Sequence, residues 1–220
     1  MASSRELHWD EVYATKSAET MSWFEEEPAI SLAMIAATGL GKSAAIVDIG
    51  GGASLLVDRL IEQGHARVAV LDISATGLEV AKARLDAQHS KAGWILADVT
   101  HWEPPRGTFD LWHDRAVFHF LTDDADRAGY LKALERGLKP GGFVILATFA
   151  LTGPAMCSGL PVRRYSAATL HAALGPDYEL MESKQQAHRT PAGTAQDFLW
   201  CRFRKSGAEA RIEHRMPKEE

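Results

Sequence analysis

The sequence predicts an α/β protein with a doubly wound, mostly parallel seven-stranded sheet, helices on both faces and a C-terminal antiparallel hairpin. Three observations predict it. A strand, a glycine turn and a helix start follow one another without a spacer from Ala45. Strands then alternate with helices as far as Phe149, the pattern of a parallel sheet covered on both sides. The last two strands are separated only by His188–Gly193, too short for a helical crossover, so they pair antiparallel.

The first 27 residues are polar but carry Trp9, Tyr13, Trp23 and Phe24. Glu25, Glu26, Glu27 and Pro28 read as a helix start, because acids suit its positive end and proline its first turn. Ile30, Met34 and Ile35 give that helix an apolar face up to Gly39. Strands are expected at Ala45–Ile49, Val68–Asp72, Trp94–Ala97, Phe109–His113 and Phe143–Thr148. Helices are expected between them at Ala53–Gln63, Ala75–Gln88 and Asp123–Arg136, the last capped by Thr122 and closed by Gly137. A loop over Leu151–Val162, a helix at Ala167–Leu174 and strands at Tyr178–Gln186 and Gln196–Arg204 complete the body. The division expected is a covering segment over 1–27, one domain over 28–204, and a charged, disordered tail over 205–220.

A chain of 220 residues, 46% hydrophobic and 24% charged, fits one ordinary globular domain. Its net charge of −5 argues against a general nucleic-acid binder, which needs clustered Lys and Arg. No apolar run suits a signal peptide or a membrane span, so the cytoplasm is the expected compartment and no membrane partner is expected. Cys157 and Cys201 cannot build a disulfide framework, and without a C-x-x-C pair no metal site is expected.

Three ligands compete for the glycine turn. A phosphate loop at Ala36–Ser43 lacks its first glycine and follows a helix rather than a strand, so a helix terminator is the better reading there. A nicotinamide dinucleotide site needs a third glycine where Leu55 stands, and Asp48 in front of Gly50 is unwelcome beside a pyrophosphate. S-adenosylmethionine carries a sulfonium and an ammonium and no phosphate. Acids then suit the site, and Asp48, Asp72, Asp98 and Asp114 stand at the ends of successive strands, where an α/β sheet lines its ligand crevice.

Motif order then carries a resemblance. Ile-Val-Asp48-Ile-Gly50-Gly51-Gly52, Val-Leu-Asp72-Ile73, Ile-Leu-Ala-Asp98-Val99, Phe-Asp-Leu-Trp-His113-Asp114 and Leu-Lys-Pro-Gly-Gly142 resemble, in order, the motifs of class I S-adenosylmethionine-dependent methyltransferases. The likeness runs from about Ala45 to Arg204 and implies a Rossmann-like fold. His8–Tyr13 and Ser22–Phe24 resemble a subgroup of small methyltransferases, which implies that Tyr13 and Trp23 fold over the cofactor. The alternative is that these aromatics only staple an N-terminal helix to the domain.

The resemblance implies roles. The backbone of Gly50, Gly51 and Gly52 approaches the methionine part of the cofactor, and Asp48 fixes that loop or the ammonium. Asp72 takes both ribose hydroxyls, with Ile73 beside it. Asp98 accepts from the adenine amino group, or only caps the next turn, and the Val99 N–H faces a ring nitrogen. Asp114 touches the methionine ammonium or pairs with Arg115.

The acceptor is expected between His113 and Tyr165. His113 or His119 is a candidate general base, because imidazole titrates near neutrality; each is also explained by satisfying buried backbone groups. His188, in the hairpin turn, is a further histidine that can reach the crevice. Arg115, Arg163 and Tyr165 can meet an anionic group on the acceptor. A neutral amine or hydroxyl acceptor loses a proton on methylation, whereas a thiolate or carboxylate needs no base. The expected partner is a small-molecule acceptor, with a protein lysine second; a non-catalytic module that binds the cofactor is the reading from another class.

Overall fold

The structure, a computed structural model, describes residues 3–207. Its main sheet has the order β3-β2-β1-β4-β5-β9-β8. β1 (Ala45–Ile49), β2 (Arg67–Asp72), β3 (Ala92–Leu96), β4 (Phe109–Arg115) and β5 (Leu138–Phe149) pair parallel. β9 (Ala195–Lys205) inserts antiparallel between β5 and β8 (Tyr178–Arg189). The expected seven strands and closing hairpin are present. The order turns back at β1 and β4, which leaves a crevice above their carboxyl ends.

Alternation along each strand sorts the core. Val47, Ile49, Trp112, Val144 and Leu146 face α5 (Asp124–Gly137) and α6 (Ala167–Leu174). Ile46, Val68, Val70, Leu111 and Ile145 face α2 (Ala29–Ala36), α3 (Leu56–Glu62) and α4 (Ala75–Leu85). Both layers bury their strand residues almost completely, as a two-sided parallel sheet requires. A small hairpin, β6 (Met156–Cys157) with β7 (Leu160–Pro161), interrupts the expected loop after β5.

One close approach sets how α5 lies. A Cβ added at Gly129 would stand 2.1 Å from the Thr100 backbone oxygen. Gly129→Ala is therefore expected to lower stability by about 1–3 kcal/mol. That holds even though alanine is favoured in a helix by about 1 kcal/mol. Urea unfolding measures it; an unchanged midpoint would contradict this packing.

Several boundaries differ from the sequence reading, each for a local reason. The Ser54 hydroxyl accepts from Leu56 N at 3.2 Å, so Ala53–Leu55 is a turn and α3 begins late. α5 is capped by Asp123, whose carboxylate accepts from Ala125 N, and not by Thr122. α2 starts after Pro28, because Glu25 and Glu27 are drawn into ion pairs with Arg115 and Arg59. Residues 4–15, expected only as a covering segment, form a regular helix, α1 (Ser4–Thr15), with Ser3 and Glu6 in a capping box. Lys205 is no part of a loose tail. It ends β9, buried, and its ammonium donates to Glu135 O and Leu138 O. The rest of the expected tail, from 208, lies outside the described residues.

Candidate functional site

Above the carboxyl ends of β1, β2 and β4 lies a cleft of about 820 Å³, open to solvent. Tyr13, Trp23, Gly50, Asp72, Ile73, Asp98, Val99 and Arg115 line it, all expected site residues. Gly50 has φ +66°, and a Cβ there would meet Val117 at 2.1 Å, so the turn between β1 and α3 depends on glycine at this point.

Asp72 ends β2 with its Oδ1 accepting from Ser74 N at 2.8 Å. Burial, and the nearby charge of Asp48, push its carboxyl up to about 7. A buried acid of this kind gains from added hydrogen-bond donors. Asp98, half-buried, lies on the side of α5, where Arg5 links it to Asp126. Its Oδ1 accepts from Thr100 N and Oγ1, and its Oδ2 faces Arg5 at 3.3 Å, so the turn-capping role is present together with its place in the cleft.

The N-terminal segment forms the outer wall. Trp9 packs edge-on to Trp23 at 5.8 Å and to Phe120 at 5.1 Å, and Tyr13 packs edge-on to Trp23 at 6.3 Å. Asp10 accepts from Ser74 Oγ and Thr76 N at the start of α4, which ties α1 down beside Asp72. Arg5, absent from the expected set, lines the cleft and bridges Asp98 and Asp126. At the other end Arg115 donates from Nη1 to Trp23 O at 2.6 Å and faces Glu25 with Nη2 at 3.0 Å. His188 lies at the end of β8 rather than in the turn; its Nε2 is 2.8 Å from Ser22 O, so it secures this segment.

Other expected residues stand elsewhere. Parallel register sets Asp48 beside His113 on one face, and His113 Nδ1 is 2.7 Å from Asp48 Oδ1. The His113 Nε2 is 3.0 Å from Ser31 Oγ on α2. The three side chains, with Gly51, line a smaller cavity of about 570 Å³ that also touches Gly50, Trp23 and Arg115. His113 is thus tied at both ring nitrogens and holds Asp48 beneath the glycine turn, which corrects its placement as a base at the acceptor. Gly52 does not face an open site. A Cβ there would meet the Tyr13 hydroxyl at 2.2 Å.

Asp114 points to the opposite face because strand side chains alternate. It accepts from Tyr130 OH, Val117 N and Phe118 N, is fully buried, and does not pair with Arg115. His119 is also fully buried. Its ring packs on Phe120 and Phe149, Nδ1 accepts from Phe149 N at 3.3 Å, and burial together with the Arg115 charge lowers its pKa to about 3. It has no access to an acceptor. His119→Asn is expected to lower the melting temperature while leaving every ionisation limb of turnover between about pH 5 and 9 in place. Loss of a limb in a pH–rate profile would return His119 to the chemistry.

Arg163 and Tyr165 are likewise outside the cleft. Arg163 is exposed over the Tyr165 ring, and Tyr165 is a core residue against Phe118. Phe120, Leu121, Cys157, Gln196 and Phe198, none of them in the expected set, line the cleft together with Arg115. Among the described residues no helix is long and apolar enough to cross a membrane.

A family model for a methyltransferase domain matches residues 46–142. The trans-aconitate 2-methyltransferase of Rhodopseudomonas palustris (strain HaA2) is 37% identical over 131 residues, which cover 57% of this chain and 47% of that protein. The match thus spans about half the length of that curated relative. A solved structure concerned with conversion of a disulfide bond into a thioacetal group during echinomycin biosynthesis aligns with a TM-score of 0.77 at 20% identity. That alignment covers 96% of this chain and 97% of the other. The 1,6-didemethyltoxoflavin-N1-methyltransferase of Burkholderia thailandensis, solved with 1,6-didemethyltoxoflavin and S-adenosylhomocysteine, aligns with a TM-score of 0.66 at 20% identity, covering 92% and 84% of the two chains. At such identities the likeness is one of fold. The methyltransferase-domain match over residues 46–142, with a parallel sheet closed by an antiparallel β9, gives this chain a methyltransferase domain whose fold and motif order are similar to those of class I S-adenosylmethionine-dependent methyltransferases.

Proposed function

We propose that the protein moves a methyl group from S-adenosylmethionine to a small-molecule acceptor by in-line displacement. The observation that carries this reading is the cleft itself, which holds two carboxylates, Asp72 and Asp98, at its inner end and aromatic walls at its outer end. The fit to the cofactor rests on Asp72. Its buried carboxyl, raised to about 7, is stabilised as a carboxylate by two donated hydrogen bonds, and a ribose diol offers two.

When bound, S-adenosylmethionine supplies an electrophilic methyl group on a sulfonium. The protein's part is then to bind, align and exclude water. Asp72 would hold the ribose, Asp98 and the Val99 backbone would meet the adenine, and the Gly50 backbone would meet the methionine chain. Asp48, held by His113 and Ser31, supports that turn from below. Trp9, Tyr13 and Trp23 cover the site, and alignment in a dry cleft supplies much of the rate of such a displacement. The covered cleft favours a small acceptor over a polypeptide side chain.

Calorimetric titration with S-adenosylmethionine and with a nicotinamide dinucleotide tests the reading. Binding of the first alone is expected; tight dinucleotide binding without it would overturn the proposal. A labelled methyl donor offered with small-molecule and protein pools then separates the acceptor classes. Binding without turnover in either pool would favour a regulatory module.

A further inference from the structure

Resting on the methyl-transfer reading, we propose that the acceptor is a flat, apolar-bodied monocarboxylate, methylated on its carboxylate oxygen and anchored by Arg115.

Arg115 is the strongest unspent group of the cleft. It ends β4 on the face of Asp48 and His113, lines both cavities, and has its guanidinium 5.2 Å from the Phe198 ring. One edge of the guanidinium is used by Trp23 O and Glu25. Glu25 is shared, since His188 Nδ1 stands 3.5 Å from it. The Nε of Arg115 is buried without a hydrogen-bond partner, which leaves a charged donor exposed to no water and paired to no acceptor. Burial lowers the pKa of this guanidinium, so an added anion is favourable there.

The walls define the body of the ligand. Trp9, Trp23, Phe120 and Phe198 surround the acceptor end, which suits a planar apolar group. Charge defines the number of carboxylates. The other cation lining the cleft, Arg5, is spent on Asp98 and Asp126 at the far end. One carboxylate is therefore matched and a second or third is not, in contrast to the tricarboxylate named for the curated relative.

The proton inventory defines the nucleophile. Of the titratable groups lining the cleft, Asp72 and Asp98 are those assigned above to the ribose and adenine, and Arg5 and Arg115 are cations. Tyr13 and Cys157 remain, and burial raises both. His113 and His119 are held away from the acceptor end. A carboxylate suits this set because it needs no base. Its oxygen forms the bond to the methyl carbon as the sulfur–methyl bond breaks. Sulfur keeps that electron pair, leaving a neutral thioether and a neutral methyl ester, and no proton moves.

The test supplies the full chain with labelled S-adenosylmethionine and a panel of benzoate, trans-cinnamate, trans-aconitate, benzylamine and thiophenol. Base-labile label on benzoate or cinnamate is expected, with a rate flat from about pH 6 to 9 at saturating S-adenosylmethionine. Arg115→Gln is expected to reduce kcat/KM for that acceptor at least 100-fold while weakening S-adenosylmethionine binding no more than the loss expected for Trp23→Ala, since it also releases Trp23 O and Glu25, and Arg115→Lys to recover part of it. Four results would overturn the proposal. These are preference for trans-aconitate, methylation of the amine or thiol instead, no labelled carboxylate from a protein that binds the cofactor, or a loss of cofactor affinity in Arg115→Gln greater than that of Trp23→Ala. The last would assign Arg115 to the cofactor's own carboxylate. Failure of the wild-type chain to bind S-adenosylmethionine at all would instead remove the methyl-transfer reading beneath it.

Discussion

Asp72→Asn is expected to weaken S-adenosylmethionine binding by about 10–100-fold, the worth of a hydrogen bond or two to a charged acceptor. Asparagine keeps the size of the side chain but offers a single acceptor oxygen to a diol. The same substitution should remove a pH dependence. In the ligand-free protein Asp72 ionises at about 7, above the ordinary 3.8, because burial and Asp48 oppose its charge. The folded state thus holds this proton more tightly than the unfolded chain. Its carboxyl costs no stability below about pH 4 and costs progressively more up to about pH 7. Ribose hydroxyls favour the ionised form, so affinity should rise with pH through that window, by up to tenfold per unit, and level off above it. Calorimetry at pH 5, 6, 7 and 8 reads both effects. A wild-type affinity that falls or stays flat over this range would contradict the role of Asp72.

Removal of residues 1–27 is expected to cost still more, about two orders of magnitude or greater in cofactor affinity. The deletion takes away Trp9, Tyr13 and Trp23 as one wall of the cleft, and burial of one large aromatic is worth roughly 1.5–3 kcal/mol. It also strips Asp10 from the start of α4, and it leaves Arg115 without Trp23 O and Glu25. Trp9→Ala and Trp23→Ala separate the wall from the anchoring, each with an expected loss of about tenfold. Circular dichroism and the melting temperature show whether the domain persists. Unchanged affinity in a folded, shortened protein would reduce the segment to a staple.

The elements that position the cleft were legible because they are local. Ile46, Val47 and Ile49 before three glycines, and Asp72 and Asp98 after apolar strands, announce themselves by spacing. The end of β4 was less so. His113, Asp114 and Arg115 look too polar for a buried strand, yet the strand runs through them because each finds its partner on another element: Asp48 and Ser31, Tyr130, and Glu25. A sequence does not print such pairings, and for that reason polar residues near the acceptor side were expected in the cleft when only Arg115 reaches it. α1 was readable in part. Its apolar spacing is weak, but Ser3 followed by Glu6 carried the start signal. The reach of Arg5 to Asp98 and Asp126 depends on how α1 is laid across the sheet, and no local pattern encodes it.

The interior place of β9 bears on synthesis. Chain growth delivers β1 to β5 first, and their parallel pairing can begin as soon as β4 and β5 exist. The outer backbone of β5, twelve residues long, then stays without its neighbour until residues 195–205 have been made. During that interval the nascent protein carries an open, apolar strand edge of the kind that recruits other chains. Ribosome pausing within the β8–β9 region would prolong the exposure, and slow codons there should raise aggregation more than slow codons ahead of β1.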